Sequence, residues 1–255
     1  MAVDEAILEA CIRGLAPPTL RLYAWSPPCL SLGYAQPSSD VDYAHLAAFG
    51  WDLVRRPTGG RGILHTDELT YSVIASQSEP RLTGGVLESY RRLSSALLAA
   101  LRRLGLPAIS SAEPAGSAEG DRENPICFEV SSNFEIRINN KKIIGSAQAR
   151  RQDGVLQHGS LPLYGDLSRI TLALKYPGEA NRLKAADRLL ERATTLDSAL
   201  GYLADWAYAA QSITWGFQTE LNLDLEPGEL TPEEGRLAYK LFQTKYTHPS
   251  WLSKQ

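Results

Sequence analysis

Two residues near the middle of the chain have side chains suited to acyl transfer: Cys127, a thiol, and Lys142, an ammonium. A free thiol titrates at about 8.5, so only a few per cent is thiolate at neutral pH; a nearby ammonium raises that fraction and makes the sulfur a nucleophile. Whether the two meet depends on the strands around them. Phe134, Ile136 and Ile138 alternate with Glu135 and Arg137, the period of a strand with one buried face. Asn139-Asn140 follows, and asparagine tolerates the positive φ of a two-residue hairpin turn. Such a turn sets Arg137 opposite Lys142 and Ile136 opposite Ile143, and puts Lys142 on the polar sheet face with Glu135 and Arg137. Asp153-Gly154 predicts a second turn, and Val155 to Leu163 a third strand carrying Gln157, His158 and Gly159. A competing reading makes Cys127 a small buried hydrophobe and Lys142 a solvated hairpin charge. For an arbitrary cysteine and lysine that is the commoner outcome.

A second segment of interest is Thr58-Gly59-Gly60-Arg61-Gly62, delivered by an expected strand over Trp51 to Arg55. Its glycines permit positive φ and close approach of a ligand to backbone amides. The spacing is neither GxxxxGK[ST] nor GxGxxG, so the pattern alone fits an ordinary glycine turn as well as a binding loop. Arg56 is either a contact for an acyl carrier or phosphate, or a surface charge.

The remaining cysteines, Cys11 on an amphipathic helix over Asp4 to Leu15 and Cys29 in a strand-like run, read as packing residues. Three cysteines without CxxC spacing support neither a disulfide framework nor a zinc ribbon. His45, His65, His158 and His248 show no ligand spacing, so no metal is expected. A net charge of −3 and a pI near 5.9 argue against nucleic-acid binding as the protein's main business. The opening MAVDEAILEACIRG carries acids where a secretory signal carries basic residues, and no apolar run approaches ~18 residues, which predicts a soluble cytoplasmic protein without membrane association.

Along the chain, strands are expected over Thr19 to Trp25, around Leu30 and over Glu68 to Ser76. Helices are expected over Val41 to Phe49 with Asp40 as cap, Leu87 to Leu104, Leu167 to Leu174, Asn181 to Ala193, Leu196 to Phe217, and from Thr231 to about Tyr246. Between residues 107 and 125 lies a stretch poor in apolar bulk, expected to be mobile. Basic residues Arg182, Lys184, Arg188 and Arg192 offer a face to an acidic partner, or a salt-bridged solvent face. The order of elements predicts an α+β domain with a mixed or antiparallel central sheet and helices on one side.

Three blocks in order carry a resemblance. KxxGSAQxR from Lys142 to Arg150 with LQHGSL from Leu156, RRPTGGRGILH from Arg55 with ELTYSV from Glu68, and DEAIL with TLRLYAWSPPCLSLGYAQ together resemble the lipoate-protein ligase and octanoyltransferase family. The block CFEVSSNFEI is similar to the LipM-type octanoyltransferases, which carry an acyl-thioester cysteine on this loop. The resemblance implies the biotin and lipoate ligase catalytic fold as one domain over residues 1–255, helical toward its end from about 181. It implies that Cys127 is the acyl-thioester nucleophile and Lys142 the residue that lowers its pKa. Arg56, Thr58, Gly59, Gly60, His65, Gly145, Ser146, Ala147, Gln157, His158 and Gly159 then fall at the substrate site. The implied reaction takes octanoyl from acyl carrier protein to a lysine of a lipoyl domain, such as the glycine-cleavage H protein, in a monomer that needs no cofactor. The alternatives are an ATP- and magnesium-dependent lipoate ligase, an amidotransferase between lipoyl domains, and a binding module without turnover. Arg61, where family ligases commonly place a third glycine, argues against an adenylate pocket of the ligase kind.

Overall fold

The alternating runs are satisfied by two sheets. The computed structural model describes residues 1–111, 125–126 and 135–253. Cys127, Phe134 and residues 112–124 of the stretch expected to be mobile lie outside the described residues. The larger sheet has six strands in the order β1 (Thr19–Tyr23), β5 (Glu68–Ser76), β9 (Gly154–Pro162), β8 (Lys141–Arg151), β7 (Glu135–Ile138) and β6 (Ile109–Ser111), each antiparallel to its neighbours. In the smaller, β2 (Cys29–Leu32) pairs with β3 (Asp52–Arg55) in parallel and with β4 (Ile63–His65) antiparallel. Strand β6 was not expected; it occupies the start of the supposedly mobile stretch and forms the sheet's edge. Among the described residues no helix is long and apolar enough to cross a membrane.

Period two assigns each strand residue to a face. One face carries Leu69, Tyr71, Ile136, Ile138, Ile143, Ile144 and Leu161, buried under α3 (Val86–Arg103) and α6 (Trp206–Leu221). The other receives α1 (Ala2–Ile12), whose Ile7, Leu8 and Cys11 pack on Ile74 and Leu156, and beside it the smaller sheet. Helices therefore lie on both faces, against the one-sided arrangement expected. Burial of an apolar stripe on α1 requires a partner face, and α3 and α6 already cover the first.

The β7–β8 hairpin turns at Asn139 and Asn140, with φ of 49° and 63°, as the asparagines predict. Arg137 pairs with Lys142 as expected, but Ile136 pairs with Ile144, because a bulge intervenes. That extra residue lets Ile143 and Ile144 both bury in the helix-covered core, at 0% and 2% exposure. It also returns Gly145 and Ala147 to the face that carries Lys142. The second hairpin turns one residue early, at Gln152-Asp153, with Gln152 at φ 50°.

Helix boundaries follow local chemistry. Gly201, at φ 78°, ends α5 (Leu196–Leu200) and splits what apolar spacing reads as one helix to Phe217. Asp42 rather than Asp40 caps Tyr43–Phe49, accepting from the His45 amide at 3.0 Å. Leu167–Leu172 is a 3-10 helix, and α4 runs over Glu179–Arg192. Thr231 and Glu234 form the capping box of α7 (Pro232–Leu241), which passes into a π turn over Phe242–Tyr246.

At the α3–α6 crossing Gly216 has no room for a side chain: a Cβ would lie 2.2 Å from the Ala96 carbonyl oxygen and 3.0 Å from the Ala100 nitrogen. Substitution Gly216→Val must spread the helices, and overpacking of this kind costs about 1–3 kcal/mol. A lower urea midpoint with an unchanged slope is the expected result.

Candidate active site

A narrow slot separates the two sheets. Thr70 of β5, Gly145 and Ala147 of β8, and His158 and Ser160 of β9 form one wall, with Ser146 and Gly159 beside them; Ser31, Arg56, Ile63 and His65 form the other, and Met1, its α-amino group 3.7 Å from Asp4, completes the lining. Its polar residues are bonded to one another, which leaves a mainly apolar lining. Ser31 Oγ lies 2.8 Å from His65 Nε2, and His65 Nδ1 lies 2.6 Å from Glu68 Oε1. Thr70 and Ser160 hydroxyls donate to the same carboxylate. Trp25 stacks on the His65 ring at 4.4 Å and donates its indole N–H to Thr70. A carboxylate only accepts, so in the neutral ring Nδ1 holds the proton and Nε2 offers its lone pair to Ser31.

His158 lies further along the same wall, with Nε2 2.6 Å from the Thr58 hydroxyl and Nδ1 buried without a hydrogen-bond partner. Burial pushes this imidazole down to about 3; the Asp4 carboxylate opposes the shift and Arg56 adds to it. His158 is therefore neutral throughout the physiological range.

Arg56 is 2% exposed, so it is no surface charge. It donates to the carbonyls of Gly59 at 2.8 Å, Arg61 at 2.7 Å and Ser31 at 3.1 Å, and to Ser31 Oγ at 3.2 Å. The side chain thus closes the glycine loop onto β2. Gly59 and Gly60 are absent from the slot wall; Gly60 instead presses its carbonyl against Gly33, where a Cβ would lie 1.9 Å from that oxygen. Gln157 belongs to the opposite sheet face, bonded to Tyr71 and Gln148 beneath α3 and α6. The slot also takes Ser31, Ile63, Thr70 and Ser160, which were not among the expected site residues. Period two from His158 was a signal for Ser160; nothing local marks Ser31 or Ile63.

Lys142 stands on the slot's sheet face, beyond Gly145, and is 3% exposed rather than solvated. Its Nζ lies 3.1 Å from Glu135 Oε1, and Arg137 holds Glu135 Oε2 through Nε at 2.9 Å and Nη2 at 2.5 Å. The three side chains together carry one positive charge, in a setting that screens it poorly. Pro125 accepts from the Gly62 amide at 2.8 Å and from Gln36 at 3.1 Å, which fastens residues 125–126 to the glycine loop. Ile126 is buried in a cluster with Leu189 and Ala193, and Ala193 is bridged to Lys142. The other two cysteines are unsuited to attack: burial pushes the Cys11 thiol up to about 11 and the Cys29 thiol up to about 12.

Residues 1–218 match the family described as the lipoyl protein ligase A/B catalytic domain. The chain is 43% identical over 256 residues to the octanoyltransferase LipM of Symbiobacterium thermophilum, covering 98% of this chain and 92% of that one. It is 35% identical over 259 residues to the LipM of Bacillus subtilis, covering 100% and 93%. Among solved structures, the bipartite lipoate protein ligase of Thermoplasma acidophilum matches at TM-score 0.79 and 26% identity, over 99% of this chain and 91% of that one. A lipoate-protein ligase A bound with ATP matches at TM-score 0.79 and 26% identity, over 99% and 92%.

The buried neutral His158 has a consequence for acid stability. Its folded-state pKa of about 3 lies below the ordinary 6.5, so between these values the unfolded chain binds the extra proton and stability falls as pH drops. In His158→Gln this part of the decline disappears, and urea unfolding from pH 7 to 4 should show a shallower loss than in the parent protein.

Proposed function

This chain belongs to the lipoyl protein ligase A/B catalytic domain family, and we propose that within it the protein is an octanoyltransferase of lipoate biosynthesis working through a Cys127 thioester. In this reading the donor is octanoyl-acyl carrier protein and the acceptor a lipoyl-domain lysine, such as that of the glycine-cleavage H protein. The Cys127 thiolate attacks the donor carbonyl, the C–S bond to the carrier breaks, and the carrier thiol leaves. The acceptor amine then attacks the enzyme-bound carbonyl, an amide forms, and Cys127 is released. One thioester replaces another at nearly equal free energy and the amide is the more stable product, so the cycle runs without ATP.

The observation that carries this reading is the buried cluster of Lys142, Glu135 and Arg137, whose single positive charge favours an anion beside it. Ile126, immediately before Cys127, shares an apolar cluster with Ala193, and Ala193 is bridged to Lys142, which supports pairing that cysteine with the charged cluster. In this reading the alkyl chain spreads the narrow, mainly apolar slot as it enters, and burying its roughly seven carbons beyond the carbonyl gains about 6 kcal/mol at ~0.8 kcal/mol for each CH₂. Arg56 lines the slot while tying the glycine loop to β2, and Thr58 braces His158.

Intact-mass measurement after incubation with octanoyl-acyl carrier protein tests the reading. The parent protein should gain one octanoyl group, and Cys127→Ala should gain none. Lys142→Gln should acylate slower at neutral pH, by about tenfold for each pKa unit the ammonium supplied, and recover as pH rises. ATP-dependent labelling of a lipoyl domain by Cys127→Ala would favour lipoate ligation instead.

A further inference from the structure

The transfer step needs a proton acceptor, and the slot holds a hydrogen-bonded chain of groups with the chemistry to serve. The acceptor lysine arrives as an ammonium and leaves as an amide N–H, so it sheds two protons. Among the described residues of the slot, His158 is a poor recipient, buried near Arg56 with its ring held neutral. Lys142 is already engaged by Glu135. His65 differs from both: its Nδ1 is oriented by Glu68 at 2.6 Å, and its Nε2 lone pair faces the Ser31 hydroxyl at 2.8 Å. Glu68 is itself fixed by Thr70 and Ser160, and the ring by Trp25. Hydroxyl, imidazole and carboxylate bonded in series are the arrangement that moves a proton away from a reacting atom.

We propose that Ser31, His65 and Glu68 form the proton relay that deprotonates the attacking lysine, with Ser31 presenting the relay to the slot and Glu68 positioning the ring. The inference rests on the acyl-enzyme reading above. The ammonium loses its first proton to solvent on entry. As the N–C bond forms, the second passes to Ser31 Oγ while the Ser31 proton moves to His65 Nε2, leaving an imidazolium opposite the Glu68 carboxylate. When the tetrahedral adduct collapses, the C–S bond breaks, Cys127 leaves as the thiolate, and His65 gives up its proton to solvent. Arg56, 3.2 Å from Ser31 Oγ, favours the oxygen while it is electron-rich.

The test isolates the octanoyl-enzyme before adding an acceptor, so changes in its formation drop out. Discharge is then timed with apo H protein, and separately with hydroxylamine, a small nucleophile that cleaves thioesters at neutral pH without a general base and can hand its proton to water. Ser31→Ala and Glu68→Gln should slow discharge to the H protein by about 100-fold or more and leave discharge to hydroxylamine near the parent rate. A merely structural role would lower both rates together; that result, or no loss of either rate, overturns the proposal. Should Ser31→Ala hold no acyl group, Glu68→Gln carries the same comparison. Absence of an octanoyl-enzyme in the parent protein would refute the acyl-enzyme reading itself, a result distinct from equal discharge by parent and variants.

Discussion

A carboxylate and an ammonium shut away from water, Glu135 and Lys142, constrain most of what surrounds them. Neither is tolerable alone at this depth: removing one partner of a buried pair costs about 3–5 kcal/mol, because the other is left uncompensated. Arg137 joins them from the same hairpin, so strand pairing and charge pairing specify one register. The backbone of Lys142 is anchored too, since its carbonyl accepts from Thr194 just past α4. A side chain so confined cannot wander, and it sets a fixed positive field at the end of the slot.

The slot stays mainly apolar although serine, threonine, histidine and arginine line it. These groups are hydrogen-bonded to one another, and burying them is inexpensive only on those terms. Two adjacent arginines do the heaviest part. Arg56 binds the carbonyls of the glycine loop, while Arg55, fully buried, gathers those of Gly33, Tyr34, Gln36, Trp251 and Leu252. Loop carbonyls that would otherwise need water are satisfied from within, and the slot walls hold their shape without solvent.

Much of this was legible in the chain itself. Asn139-Asn140 predicted the hairpin, period two put Lys142 with Glu135 and Arg137, and Thr231 with Glu234 announced a helix start. What escaped depends on distant partners. Lys142 reads as exposed because hairpin charges usually are; its burial is set by Ala193 and Thr194, far along the chain. Arg56 reads as a surface or ligand contact because nothing local shows that three carbonyls await it. Ser31 gains its place only when β2 meets β4, and Glu68 only when β5 meets β9. Gly201 was visible, but the leucines on either side outweighed it in a reading based on apolar spacing.

The bulge in β8 shows how one surplus residue can reconcile two incompatible demands on a strand. A regular strand passing from Lys142 to Ala147 would have to give up either an isoleucine from the oily side or a small residue from the slot side, since odd and even positions cannot trade places. Regular pleating at unchanged length would turn Gly145 and Ala147 toward the helices and the Ser146 hydroxyl toward the slot, whereas trimming Ile143 would keep them in place and thin the core by one side chain. One added residue thus lets a single strand feed a broad oily layer and a slender channel at once.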